Sequence, residues 1–126
     1  MAAIERFEDI EAWKEARSLT NEMYRISGTG AFARDFALRD QLRAASISTM
    51  ANIAEGFDSG SRREFMKFLG YALRSATEVQ SHLYVGLDQG YLDQPEFDTL
   101  YAHAARVRNL TGGFIRYLAN CRSRSH

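Results

Sequence analysis

The chain has 126 residues and a mass of 14.3 kDa, which suits one domain over residues 1–126 and argues against a second independent core. Hydrophobic residues make up 45% and charged residues 25%, which excludes a disordered chain, a collagen-like repeat and a disulfide scaffold. Sixteen basic and sixteen acidic side chains cancel, so any attraction to nucleic acid must come from where charge sits, not from its sum.

Seventeen alanines and eleven leucines against three valines and one proline favour helix over sheet, because alanine and leucine lose little freedom in a helix. The lone Cys121 has no partner for an internal disulfide, and no cationic stretch followed by an apolar run opens the chain, so a cytoplasmic protein is expected. The longest uncharged run, Ala44 to Ala54, is polar in part and shorter than the roughly 20 apolar residues a membrane helix needs. Charge is uneven: residues 1–27 carry four basic and six acidic groups, whereas residues 106–126 carry five arginines and no acid. Fourteen of the sixteen basic residues are arginine, which suits bidentate phosphate contacts, although a GC-rich genome gives the same bias.

A short segment, 1–8, precedes the first helix. From Asp9 to about Ser27, the spacing of Ala12, Ala16, Leu19, Met23 and Ile26 predicts one amphipathic helix, with Asp9 as its N-cap and Gly28 and Gly30 ending it. The second helix is expected from about Asp35 to Phe57 with two apolar stripes. One is Leu38, Leu42, Ala45, Thr49 and Ile53; the other is Ile47, Met50, Ala54 and Phe57. Two apolar faces need two partners, and the small side chains between Ala44 and Ala51 suit a central or intersubunit helix.

Gly56 and Gly60 read as a break, after which Ser61 and Glu64 form a capping box. The third helix follows, with Phe65, Leu69, Ala72, Ala76, Val79, Leu83 and Gly86 on its apolar stripe and Gly90 as its stop. Pro95 fits the first turn of a fourth helix, in which Phe97, Leu100, Ala104, Val107, Thr111, Phe114, Leu118 and Cys121 predict packing along the full length. Gly112 and Gly113 inside it are expected to mark close packing or a bend, and residues 122–126 form an arginine-rich tail. Four helices joined by short turns give an all-α, up-down-up-down four-helix bundle.

The chain has no Glu-x-x-His, so the di-metal sites some bundles carry are not expected; Glu78 and His82, four apart on one face, could offer two ligands to a single ion but read better as a surface ion pair or a bundle hydrogen bond. Three scattered histidines and a cysteine on an apolar stripe give no nucleophile, base and orienting group together, so neither catalysis nor a cofactor is expected. Gln41, Ser46, Asn52 and Glu55 sit among residues expected to be buried, where they would form a polar network fixing packing register.

The run from Gln41 to Gly56, ending Asn52-Ile53-Ala54-Glu55-Gly56, resembles the hallmark segment of the four-helix-bundle proteins encoded by 23S rRNA intervening sequences. Phe7, Trp13 and Ala16 before it agree, as do Glu64-Phe65, Phe68-Leu69, Ala72, Ser75, Glu78 and Leu118 after it, so nearly the whole chain is covered. The sequence departs from that pattern at Arg74, where a small residue is usual, and at Ala31-Phe32-Ala33, which replaces a Phe-Pro turn. The resemblance implies a left-handed antiparallel bundle without catalysis whose members assemble into rings of five. It adds Ser75 and Glu78 to the polar network. A related branch is similar to the accessory protein of diversity-generating retroelements, which is basic, binds nucleic acid and contacts a reverse transcriptase.

Two functions compete at this level. One is association with RNA or DNA through Arg39 and Arg43, which share a helix face, and through Arg62, Arg63 and Lys67, multiplied by a homopentameric ring. The competing reading of the same residues is a solvated face balanced by Asp35, Asp40, Glu55 and Glu64. The other function is a protein-binding scaffold or accessory subunit for a polymerase-type partner, anchored by Tyr71, Tyr84 and Tyr117.

Overall fold

A computed structural model describes residues 3–124, with side chains through Cys121. A 3-10 turn at Phe7–Asp9 leads into α1 (Glu11–Ile26), a short α2 (Gly30–Arg34), and then α3 (Phe36–Asp58), α4 (Arg62–Asp88) and α5 (Gln94–Arg124). Among the described residues no strand is present. Each long helix packs on two others, α3 and α5 on both α1 and α4, so the four enclose one core. Cross-helix contacts run in opposite chain order in every adjacent pair. Tyr24 and Ser27 meet Arg43 while Thr20 meets Ser46, and Tyr84 meets Phe97 while Phe65 meets Phe114.

The apolar stripes lie inside as their spacing requires. Leu19, Met23, Leu42, Ile53, Leu69, Ala76, Val79 and Val107 are all fully buried. Three hydroxyls share that core without an orphaned donor, because Thr20, Thr49 and Thr111 each donate to the carbonyl four residues back in their own helix.

The helix ends depart from expectation. Asp9 does not cap α1; its carboxylate accepts from the Glu5 and Arg6 amides inside the preceding turn, and Ile10, fully buried, stands at the N-cap position with no side-chain cap. Hydrophobic burial of Ile10 fixes the chain there, outweighing a capping preference of about 1 kcal/mol. Asp35 caps α3 by accepting from the Leu38 amide, and Ser61 caps α4 by accepting from the Glu64 amide. Gly90, at φ +78°, ends α4 with its amide bonded to the Leu87 carbonyl. Asp93 accepts from the Glu96 amide at the start of α5, with Pro95 in the first turn.

Gly56 does not break the helix. It lies inside α3, buried, and a Cβ there would come within 2.8 Å of the Phe68 Cβ and 2.9 Å of Phe65, so its missing side chain is what lets α4 approach. Gly112 and Gly113 have the opposite character: only the Arg116 side chain would lie within 4 Å of an added Cβ, which leaves no close helix contact for them to serve. Beyond Thr111, α5 is only half-buried, with Phe114, Ile115 and Leu118 resting against the core margin, so it does not pack fully along its length. The backbone of the arginine-rich tail continues α5 to Arg124, and residues 125 and 126 lie outside the described residues. The Ala31-Phe32-Ala33 stretch forms α2, and buried Phe32 closes one end of the core against Tyr91, 5.1 Å between ring centroids.

Candidate nucleic-acid interface

Arg39 and Arg43 share a face of α3, and both are half-buried against the ends of α1 and α2. The Arg43 Nε donates to the Ser27 Oγ at 2.8 Å, its Nη2 reaches the Tyr24 carbonyl at 3.4 Å, and its guanidinium lies 4.3 Å from the Tyr24 ring centroid. A cation here meets the unpaired carbonyls and negative dipole end of α1. Arg39 donates to the Ala33 carbonyl at 3.1 Å and to Asp40 at 2.9 Å, over the Phe36 ring. Both arginines are committed to their own chain.

Arg62, Arg63 and Lys67 lie beyond the other end of α3, exposed in the first two turns of α4. At 1.5 Å per residue the two basic groups stand roughly 25 Å apart, so they form two patches and not one. The Phe65 and Phe114 rings, 5.2 Å apart, set the start of α4 beside the last third of α5, where Arg116 is exposed. Arg63, Lys67 and Arg74 form no ion pair or side-chain hydrogen bond among the described residues. Arg74 was legible only as a departure from a small-residue pattern; its place on the exposed face of α4 depends on how that helix packs.

The six residues expected to form a polar network divide. Ser48 and Ser75 bring their hydroxyls to 3.0 Å across the α3–α4 contact, and the Asn52 Nδ2 donates to the Ser48 carbonyl at 2.8 Å and to its hydroxyl at 3.1 Å. Ser46 is buried and donates to the Arg43 carbonyl, and its own carbonyl accepts from Thr20. Glu78 pairs with His82 at 3.1 Å on the surface. Gln41 and Glu55 are exposed, contrary to the expectation of burial, because they fall on the outward face of α3.

The second apolar stripe of α3 is likewise split. Met50 lies against Thr20, and Phe57 packs edge-on against Phe65, so both are covered within the chain; Ala54 is half-buried. Ile47 is 43% exposed. With Ala37, Ala44 and Ala51 it makes an outward face of small apolar side chains, offset from the predicted stripe. Tyr71, Tyr84 and Tyr117 are exposed, each with an edge or face against an intrachain ring: Phe68, Phe97 and Phe114 respectively.

Between the end of α1 and the start of α5 an open cleft of about 420 Å³ is lined by Glu22, Arg25, Asp93, Glu96 and His103. Arg25 bridges it, 2.6 Å from Glu22 and 3.4 Å from Glu96; the Glu22 hydrogen bond, with support from Glu96, holds its pKa above the ordinary value. Among the described residues no group of three His, Cys, Asp or Glu side chains could hold a metal, and no helix is long and apolar enough to cross a membrane.

The family model for the 23S rRNA-intervening sequence protein matches residues 8–113. No curated protein matches the chain. A crystal structure of a protein of unknown function from the S23 ribosomal protein family of Bacteroides thetaiotaomicron superposes with a TM-score of 0.77 at 18% identity, covering 83% of this chain and 95% of that one. At that identity the likeness is one of fold, and it agrees with the all-helical architecture described above. A match spanning most of the core places the chain in a family by sequence as well: it belongs to the 23S rRNA-intervening sequence protein family.

Proposed function

We propose that this chain is a non-enzymatic, self-associating helical bundle that binds RNA at the end where α4 begins and α5 finishes. The observation that carries the reading is the Phe65–Phe114 contact, which sets the first turns of α4, bearing Arg62, Arg63 and Lys67, beside the last third of α5, whose sequence has arginines and no acid. A chain with no net charge attracts phosphate only where its cations gather away from acids. Arg39 and Arg43 leave the binding group, since α1 and α2 already use them. The family's description links its members to a ribosomal RNA without saying what they bind, which makes RNA the first ligand to test.

Self-association, as a ring of five, uses the outward face of α3 at Ala37, Ala44, Ile47 and Ala51, where small side chains let a second backbone come close. Repetition then multiplies a modest patch by mass action. The test joins two measurements on the full chain: its mass in dilute solution, and titration of a labelled RNA at about 50 mM salt, where phosphate contacts are strong. A pentamer that binds RNA, with affinity falling steeply as salt rises, is the expected result. A monomer removes the ring, and absence of binding at low salt removes the RNA.

A second reading, a protein-binding scaffold for a polymerase-type partner, draws on Tyr84, 50% exposed over Phe97 and Tyr101 and beside the exposed Val85. It is distinguished by a partner that stays bound through nuclease treatment and high salt.

A further inference from the structure

The strongest unassigned surface lies along α4. Arg63, Lys67, Tyr71 and Arg74 follow one another at spacings of four, four and three, which sets them in a single row on one face of a helix. All four are exposed, and the row covers roughly 16 Å at 1.5 Å per residue. Its three cations are uncommitted. Arg25, Arg39, Arg43, Arg106 and Arg108, by contrast, bond within the chain. The row ends at Glu78, whose carboxylate is taken up by His82. Tyr71 sits among the cations with 38% of its surface open, and its ring stands perpendicular to that of Phe68, at an interplanar angle of 88°.

We infer that this row is a binding track for single-stranded RNA, with Arg63, Lys67 and Arg74 against successive phosphates and one base stacked on Tyr71. The inference rests on the RNA reading above and extends it from the end of the bundle along the helix. A narrow row of cations interrupted by an aromatic ring fits a single strand, whose unstacked bases reach a ring beside the phosphates. A duplex keeps its bases stacked inside, and bringing one out to Tyr71 would require unstacking and unpairing it first.

The test measures binding of a fluorescent 15-nucleotide oligouridylate to the full-length chain at about 50 mM salt, beside an RNA duplex of equal length. The single strand is expected to bind more tightly than the duplex. Arg74→Glu is expected to weaken it about tenfold or more and to lower its salt dependence. Tyr71→Leu, which keeps apolar bulk but removes the ring, is expected to weaken it at least about fivefold, while Tyr71→Phe binds like the parent. The mass of each variant is measured alongside. Equal binding of the duplex overturns the inference and leaves the RNA reading standing, as does a Tyr71→Leu chain that binds normally or that loses binding only because its mass has changed. Failure of the parent chain to bind either RNA removes both.

Discussion

Basic residues stand beside both ends of α3, on α3 itself at its start and on α4 at its finish, and the two groups are placed in opposite ways. At the N-terminal end of α3 Arg39 and Arg43 bond to neighbouring backbone, because α1 and α2 finish there and present unpaired carbonyls within reach. At its C-terminal end Gly56 lets α4 come so near that Phe65 and Phe68 fill the gap, which leaves Arg63 and Lys67 on the outside. A guanidinium is free for a ligand only where no helix end has already claimed it. The lesson is that arginines spaced four apart on a helix mark a phosphate site only after the neighbouring helix termini are known.

Breaking the C-terminal end has the largest expected effect. Gly56→Ala places a Cβ 2.8 Å from the Phe68 Cβ, an atom fixed to the α4 backbone, so the helices must part. The chain should lose about 2 kcal/mol in urea unfolding, the clash outweighing the roughly 1 kcal/mol that alanine gains over glycine in a helix. A stability equal to or above that of the parent would show that the contact is slack. At the N-terminal end, Arg43→Ala removes two hydrogen bonds and a ring contact from the end of α1, and about 1 kcal/mol of stability should go with them. RNA affinity should stay within twofold of the parent; a large loss there would return Arg43 to the binding surface.

The smallest effect sharpens the comparison without breaking either end. The Tyr91 hydroxyl donates to the Asp35 carboxylate at 3.0 Å, while the other carboxylate oxygen caps α3. The Asp35 hydrogen bond, followed by desolvation and the Asp35 charge, raises the Tyr91 pKa above its ordinary 10.0. A raised tyrosine pKa favours the neutral form in the folded chain, so its contribution is complete below the ordinary pKa and disappears as pH rises through the folded one. Tyr91→Phe should therefore be slightly less stable at neutral pH and lose less stability between neutral pH and pH 11. Parallel pH profiles for the two chains would show that the bond contributes nothing.

Legibility followed the range of the interaction. The four long helices, the cap at Ser61 and the stop at Gly90 could be read from spacing and turn chemistry, because each depends on residues within a few positions of one another. Phe32 was not legible as a core residue: three small or aromatic residues between glycine and arginine carry no periodic signal, and its burial depends on Tyr91, far along the chain. The same held for the candidate site. Lys67 and Arg63 were visible as a basic cluster, but Arg74 was not, and the bond from Arg43 to Ser27 depends on how α1 meets α3.

Sequence alone determined that this protein is all helix, where the main core stripe of each long helix runs up to Thr111, and which family it resembles, since local spacing and side-chain volume govern those outcomes. Tertiary packing decided which polar groups face outward. Gln41 and Glu55 fell on the open side of α3, Asn52 on the side facing Ser48 and the α4 contact, and two arginines against helix ends that no local pattern could locate. The reason is physical: a side chain's periodicity fixes its face on a helix, whereas its partner is fixed by the rotation and height at which another helix arrives.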